Sequence, residues 1–252
     1  MSALYHLIFF NPLYNLLVLV FWTLPWADAG VAVITLTVIV RIIIFPLSKK
    51  AILTQVQMAE IAPALQAIKE KYKSSEEQAR KTLELYKERK VNPFSGVFVI
   101  LIQLPIIIAL YQIFLHAGFP NVDSTILYSF VKVPEYINTN FLGLIDITSK
   151  SAILALGAAL TTFLQLKISM SSQKAPKGNS FGDNLTRSMQ VQMKYFFPLL
   201  VFFISYKISG VIALYWLTTN LFSIGQELYV RRKILNPKHQ TLDNPKIPNP
   251  NI

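Results

Sequence analysis

Five apolar runs constrain the fold of this chain more than any other feature of its sequence. A helix rises about 1.5 Å per residue, so about 20 mostly apolar residues cross the ~30 Å hydrocarbon core of a bilayer. The runs occupy Ala29–Ser48, Phe94–Leu115, Ser151–Met170, Met193–Tyr206 and Val211–Tyr229. The sequence therefore predicts an all-α polytopic membrane protein with five transmembrane helices.

Composition supports this class and excludes several chemistries. Charged residues make up only 15% of the chain, against about a quarter in soluble domains. The absence of cysteine excludes disulfides, thiolate metal sites and cysteine catalysis. The three histidines are scattered, and no GxSxG, GxxxxGK[ST] or histidine–acid pair is present. We therefore expect no enzyme, no metal and no cofactor.

The N-terminal segment, residues 1–27, is predicted to be an outer interfacial helix. Asn11-Pro12 interrupts its apolar run and leaves about 14 continuous residues from Leu13, or roughly 21 Å of helix. A sixth span is the alternative. Its aromatic residues suit the membrane–water boundary: Tyr14, Phe21, Trp22 and Trp26.

Basic residues predict the orientation. Ten lysines and arginines lie in residues 49–90, five in 167–194 and five from 231 onward. The opposite side carries only Lys132, Lys150 and Lys207. Because cytoplasmic loops are enriched in Lys and Arg, the N-terminus is predicted outside and the C-terminus in the cytoplasm.

The first cytoplasmic segment, residues 49–92, is predicted to be a helical hairpin. Its first arm has an apolar stripe broken softly at Pro63, and Ser74 with Glu77 predicts a capping box that opens the second arm. The hairpin either catches substrates or is a passive, solvated arm. The remaining predicted segments are spans at 28–48, 93–116, 151–170, 191–207 and 208–230, an extracytoplasmic loop at 117–150, a cytoplasmic loop at 171–190 and a cytoplasmic tail at 231–252.

Arg41 lies inside the first predicted span, seven residues before Ser48 and so roughly 10 Å from its inner end. Placing an arginine near the bilayer centre costs from ~3 to more than 10 kcal/mol. No Asp or Glu lies in the interior of a predicted span, since Glu227 lies near the inner end of the fifth span and Asp146 precedes the third. Either Arg41 snorkels to lipid phosphates, or it lines a water-filled cavity that attracts an anionic group from outside the protein.

Other polar residues fall at similar depths and favour the cavity. For each one alone, the simpler interpretation is a hydrogen bond between helices. Together they indicate a cavity that opens to the cytoplasm and is closed toward the outside. The candidate set is Thr37, Arg41, Gln103, Gln165, Tyr215, Trp216, Thr219 and Asn220.

Several short motifs give the chain a resemblance to a known family. They are Asn11-Pro12-Leu13, Ile39-Val40-Arg41 with Phe45-Pro46-Leu47, Tyr86-Lys87 through Val91-Asn92-Pro93, Ile102-Gln103-Leu104-Pro105-Ile106 with Ala109-Leu110-Tyr111, and Leu214-Tyr215-Trp216 with Thr219-Asn220-Leu221. As a set they resemble YidC-type membrane-protein insertases, which are related to the mitochondrial Oxa and chloroplast Albino-type proteins. The resemblance covers roughly residues 10 to 232.

The resemblance implies a hydrophilic groove open to cytoplasm and lipid in a bacterial cytoplasmic membrane. Arg41 takes the position of the groove arginine, with Gln103, Gln165 and Trp216 lining the groove. Thr37, Tyr215 and Trp216 would contact the inserting chain. The implied partners are nascent membrane proteins, ribosomes, signal-recognition components, the Sec translocon and membrane lipid, without nucleic-acid specificity.

Two other classes of function remain open from the residues. A small-anion transporter or channel could use an intramembrane arginine, although the outer halves of the spans are nearly uniformly apolar. A structural assembly factor or intramembrane enzyme is the other class, but the chain offers no catalytic pair.

Overall fold

The computed structural model describes residues 3–92, 94–115, 121–172 and 187–235, and most of these are helical, as predicted. A short antiparallel pair, β1 (Asn140–Phe141) and β2 (Ile145–Asp146), lies between the fourth and fifth helices. Short 3₁₀ turns occupy Ser124–Ile126 and Met170–Ser172. The helices are α1 (Ala3–Thr23), α2 (Ala29–Lys71), α3 (Ser75–Glu88), α4 (Ser95–Leu115), α5 (Ala152–Ser169), α6 (Arg187–Ile208) and α7 (Gly210–Leu235).

Four of these helices, α1, α2, α5 and α6, are long and apolar enough to cross a membrane. The predicted second span is helical as α4, with a shorter apolar part at Leu101–Phe114. The predicted fifth span is helical as α7, but polar residues lower its hydropathy. The five-span count therefore stays a prediction. Five polar residues of α7 are nevertheless buried inside the protein: Thr218, Thr219, Asn220, Gln226 and Glu227.

The predicted interruption of the N-terminal helix at Asn11-Pro12 is wrong. A π-helical turn at His6–Phe10 leads directly into Asn11–Thr23, and the Asn11 N–H donates to the His6 carbonyl. Pro12 lies in the first turn of the following α-helical segment, where its missing N–H is tolerated. The resulting 21 residues of α1 are long enough for a span, so its interfacial placement stays a prediction.

Helix α2 joins the predicted first span and the first hairpin arm without a break at Ser48. Its 43 residues include Pro46 and Pro63 and give a length of about 65 Å. The Asp28 carboxylate caps its start by accepting from the Val31 N–H at 2.9 Å and from the Leu142 N–H at 2.8 Å. The helix continues through Pro63, as the soft break predicted there allows, so the first hairpin arm extends directly from the predicted first span.

The tip of the hairpin forms without the predicted capping box. Helix α3 begins after Ser74, but the Ser74 side chain makes no capping hydrogen bond. Instead the Gln78 side chain donates to the Tyr72 carbonyl at 2.6 Å. Ile61 on α2 and Leu85 on α3 are buried, so the two arms use part of their apolar stripes to pack together.

A loop following α4 closes the end of the protein predicted to face outward. The Gly210 N–H donates to the Ser149 carbonyl and the Val211 N–H to the Ile147 carbonyl, both at 2.8 Å. A Cβ at Gly210 would lie 3.0 Å from the Ile147 Cα and carbonyl oxygen, so any larger residue would push this part of the loop away by a few tenths of an ångström. The loop therefore covers the start of α7 and adds the fully buried Ile147 to the core.

Helix α7 is central to the bundle: it packs mainly along α5 and α2, and also against α6 and α4. Between α1, α2, α4 and the start of α7 lies a continuous apolar core. Its fully buried members include Tyr14, Leu17, Leu36, Leu110, Ile113 and Leu214. The predicted tail from 236, most of the cytoplasmic loop (173–186) and residues 93 and 116–120 lie outside the described residues.

Candidate functional site

Arg41 faces the interior of the protein rather than lipid. Its residue exposure is only 7%, whereas the next two residues, Ile42 and Ile43, are 59% and 68% exposed. Within the described part of the chain, Arg41 makes no hydrogen bond or ion pair. The Arg41 guanidinium lies within electrostatic range of the Tyr215 side chain of α7. The arginine therefore has a polar neighbour but no counter-ion among these residues.

Three helices bring predicted site residues together at Arg41. Gln103 of α4 donates a hydrogen bond from Nε2 to the Tyr215 hydroxyl of α7, and Tyr215 is buried. Thr219 lies one turn further along α7 and is buried, and its hydroxyl has no hydrogen-bond partner among the described residues. Because α2 supplies Arg41, this polar cluster joins α2, α4 and α7. We call Arg41, Gln103, Tyr215 and Thr219 the Arg41 cluster.

Thr37 and Trp216 lie beside the core rather than in a polar network. The Thr37 hydroxyl is buried and donates to the Val33 carbonyl of its own helix at 2.6 Å. Trp216 is partly buried and packs against the apolar core. On α2, Thr37 is one turn from Arg41 and toward the outer core. Their roles in substrate contact stay predictions.

Asn220 faces a different helix from the Arg41 cluster. Its Nδ2 donates to the Thr162 hydroxyl at 2.7 Å and lies 3.3 Å from both the Thr161 hydroxyl and the Ala158 carbonyl, all on α5. This is the hydrogen bond between helices that the sequence left as the simpler interpretation. Gln165, also on α5, is partly exposed, and no described hydrogen bond joins it to the Arg41 cluster.

A buried polar network at the inner ends of three helices was missed by the sequence reasoning. Glu227 on α7 accepts from Arg231, with the shorter bond at 2.7 Å, and Arg231 also donates to the Ser169 carbonyl of α5 at 3.0 Å. Gln55 of α2 donates to the same carbonyl at 3.0 Å. The i, i+4 spacing of Glu227 and Arg231 is the sequence signal that could have predicted the ion pair.

A second link lies close by, next to Pro46. The Gln226 side chain donates to the Ser48 hydroxyl at 2.5 Å, and its Nε2 lies 3.4 Å from the Phe45 carbonyl. Together with the Glu227–Arg231 network, this ties α7 to α2 and α5 at the end predicted to be cytoplasmic. Along α2, Arg41 thus lies between the apolar core on the outer side and the polar contacts of Ser48, Gln226 and Glu227 on the inner side. The water-filled cavity predicted around it stays a prediction.

Comparison with known proteins decides the family. Residues 22–238 match the family described as 60Kd inner membrane protein. The chain belongs to this family. Its YidC relatives include the membrane protein insertase YidC of Fusobacterium nucleatum subsp. nucleatum, 31% identical over 205 residues, which are 81% of this chain and 86% of that protein. The membrane protein insertase YidC of Oceanobacillus iheyensis is 31% identical over 215 residues, covering 83% and 77%.

Longer YidC proteins also match. The membrane protein insertase YidC of Francisella tularensis subsp. novicida is 30% identical over 223 residues, which are 85% of this chain but 35% of that protein. The predicted resemblance to YidC-type insertases is therefore confirmed, and membership of this insertase family is not the relationship expected of a small-anion transporter. All eight predicted groove residues lie inside the range that matches the family.

Proposed function

We propose that this YidC-family protein receives hydrophobic segments of nascent membrane proteins in a groove between α2, α4 and α7. The segments then leave sideways into the bilayer, without nucleotide hydrolysis. The observation that carries the proposal is Arg41, a buried arginine that has no ion pair in the described part of the chain. Such a charge is costly unless water or an incoming anion accompanies it. An acidic residue on the substrate supplies that anion.

Binding of a substrate at Arg41 is reversible because the attraction between charges and the free energy of entering lipid are of similar size. Two opposite charges 4 Å apart attract by about 4 kcal/mol at an effective dielectric constant of about 20. Burying one CH₂ group in lipid contributes about 0.8 kcal/mol. About five methylene groups entering lipid therefore offset the attraction to Arg41. A segment with several leucines is released, whereas a weakly apolar segment stays or returns to the cytoplasm.

The geometry supports an opening on one side. Toward the predicted outside, the Arg41 cluster is followed by fully buried apolar residues such as Leu36, Leu110 and Leu214. These residues exclude water from the outer half. The half-buried Gln103 of α4 lies on the other border, among exposed apolar residues such as Leu101 and Leu104 that face lipid. A segment bound at Arg41 thus has a short route into the bilayer beside α4.

We assign the hairpin a supporting role. Its arms pack together through Ile61 and Leu85, while Leu83 is 59% exposed and available to an incoming segment. The protein lies in the bacterial inner membrane, and we propose an outer N-terminus and a cytoplasmic C-terminus from the basic loops. Ribosomes, signal-recognition components and the Sec translocon are proposed partners on the cytoplasmic side.

The test compares Arg41→Ala, Arg41→Lys and the lipid-facing control Ile43→Ala in a reconstituted insertion assay. Each variant receives two substrates that differ only in acidic or neutral outer residues. We expect Arg41→Ala to reduce insertion of the acidic substrate at least tenfold, Arg41→Lys to retain most of it, and Ile43→Ala to resemble the wild type. Insertion of the acidic substrate by Arg41→Ala at the wild-type level, or the same fold loss on both substrates, would contradict the proposal.

A further inference from the structure

The turn between β1 and β2 exposes two leucines at the end of the protein predicted to face outward. Leu142 and Leu144 lie on either side of Gly143, and they are 65% and 83% exposed. The sequence from Tyr136 to Ile145 contains no charged residue. This turn, which we call the β1–β2 turn, therefore presents apolar side chains with no charge beside them to favour contact with water.

The backbone of Leu142 has an unfavourable conformation. Its φ is +53°, a region that residues other than glycine, asparagine and aspartate rarely adopt because the Cβ crowds the backbone. The Leu142 N–H donates to the Asp28 carboxylate at 2.8 Å, which holds the residue in place. A strained backbone and an exposed apolar side chain are both unfavourable in water. Together they indicate that Leu142 has an apolar partner outside the protein.

Contacts with the start of α2 fix the depth of the β1–β2 turn. The Ala29 N–H donates to the Asn138 carbonyl at 2.7 Å, and a Cβ at Gly30 would overlap the ring of Phe141. The predicted first span from Ala29 to Ser48 rises about 30 Å as a helix, which matches the hydrocarbon core of a bilayer. Ala29 and the turn attached to it therefore lie at the predicted outer boundary between hydrocarbon and headgroups.

Residues typical of this boundary lie next to the start of α2. Trp22 at the end of α1 and Trp26 in the link between α1 and α2 are both exposed. The Lys132 ammonium of the outer loop lies 5.8 Å from the centre of the Trp22 ring. Tryptophan and lysine suit the membrane interface because their apolar parts contact lipid while their polar ends reach the headgroups. The lipid interface therefore extends from α1 to the outer loop.

We propose that the β1–β2 turn is a membrane anchor whose two leucines, Leu142 and Leu144, insert into the outer leaflet at the boundary between headgroups and acyl chains. Its partner is the lipid surface, because the turn is uncharged and offers apolar contact rather than recognition of one headgroup. Since the turn is hydrogen-bonded to Asp28 at the start of α2, its insertion holds the outer end of α2 at a fixed depth. The anchor is independent of substrate binding at Arg41, and its test needs no substrate.

Depth-dependent fluorescence quenching tests the anchor in the full-length protein, reconstituted in vesicles of phosphatidylcholine and phosphatidylglycerol. The chain has no cysteine, so Leu144→Cys carries a single polarity-sensitive fluorophore. The vesicles contain a doxyl quencher either near the headgroup end of the acyl chain or near its terminal end. We expect the shallow doxyl group to quench this label at least about twofold more than the deep one, because the turn lies at the edge of the hydrocarbon core. Aqueous iodide should quench it little.

Two labelled controls bracket this result. Ser124→Cys is an exposed polar position on the same loop, and Ile43→Cys is a lipid-facing position in the predicted first span. We expect iodide to quench the label at Ser124→Cys and doxyl lipids to quench the label at Ile43→Cys. Iodide quenching at Leu144→Cys as strong as at Ser124→Cys would overturn the anchor. Equal doxyl quenching at these two loop positions would also overturn it, because it would show that the whole loop lies against the bilayer.

The variant Leu142→Asn separates insertion from the conformation of the turn. Asparagine tolerates a positive φ and keeps the N–H that binds Asp28, so the turn should persist without one apolar side chain. In this background we expect the shallow doxyl quenching of the Leu144→Cys label to fall by about half, because one of two buried leucines is lost. Unchanged quenching would overturn the role of Leu142. Efficient oxidative crosslinking of Leu144→Cys between two copies of the protein would assign the turn to a protein interface and overturn the lipid assignment.

Discussion

The Glu227–Arg231 ion pair offers the sharpest test of how α7 is fixed at its inner end. The Glu227 side chain is 3% exposed and that of Arg231 is 14% exposed. Removing one partner of a buried ion pair destabilises a protein by about 3–5 kcal/mol, because the other charge stays buried without compensation. We expect about 3 kcal/mol for Arg231→Ala, since water reaches the exposed part of the site. This corresponds to roughly a hundredfold smaller ratio of folded to unfolded protein.

The double variant Glu227→Gln with Arg231→Ala should be less destabilised than Arg231→Ala alone. The glutamine carries no charge, so removal of the arginine then leaves only a neutral amide buried. We expect a coupling energy of about 2 kcal/mol in a double-mutant cycle. Equilibrium unfolding in bicelles or detergent measures the four free energies of unfolding.

The neighbouring Arg232 supplies the control for this cycle. It is exposed, and Arg232→Ala should change the free energy of unfolding by less than about 0.5 kcal/mol. If Arg231→Ala were as mild as Arg232→Ala, or if the two single effects simply added, the ion pair would not hold α7 in place.

Two further predictions concern other parts of the fold. Asn220→Ala removes the hydrogen bond to Thr162 and should lower the free energy of unfolding in detergent by about 1 kcal/mol. In the insertion assay it should affect acidic and neutral substrates equally. A selective loss on acidic substrates would instead place Asn220 in the groove. Partial burial raises the pKa of the Asp146 carboxyl, but hydrogen bonds from Thr148 and Ser149 outweigh burial and bring the pKa below its ordinary value. The ionised Asp146 carboxylate therefore stabilises the fold above about pH 4, and this stabilisation is lost as the pH falls through the lowered pKa. Asp146→Asn should flatten the acid limb of a curve of unfolding free energy against pH. An unchanged acid limb would contradict this prediction.

The helix order and most helix starts could be predicted from the sequence because apolar length and turn residues are local signals. Local signals also misled. Asn11-Pro12 predicted a break, but the π-helical turn before it allows the helix to continue. Ser74 predicted a side-chain cap, but Gln78 satisfies carbonyls at the hairpin tip instead.

Local signals also gave the positions of the candidate site residues along their helices, but not their contacts. The sequence placed Arg41, Gln103 and Tyr215 at similar depths on three helices, and the structure buries Arg41 and joins Gln103 to Tyr215 by a hydrogen bond. The depth of a residue in the membrane does not determine which neighbouring helix its side chain faces. Asn220 therefore had the right depth but faces α5, and Glu227 was noted near an inner end without its bond to Arg231.

The central claim is that water reaches the Arg41 cluster from the cytoplasm only, and thiol labelling tests it most directly. The chain has no cysteine, so Gln103→Cys or Thr219→Cys introduces a unique target. Ile43→Cys and Ala158→Cys serve as lipid-facing and interior controls, at 68% and 0% exposure. With an impermeant anionic thiosulfonate, we predict that Gln103→Cys and Thr219→Cys react from the cytoplasmic side alone and that both controls stay unlabelled. No reaction at either cluster position, or reaction from the outside, would contradict the proposed groove.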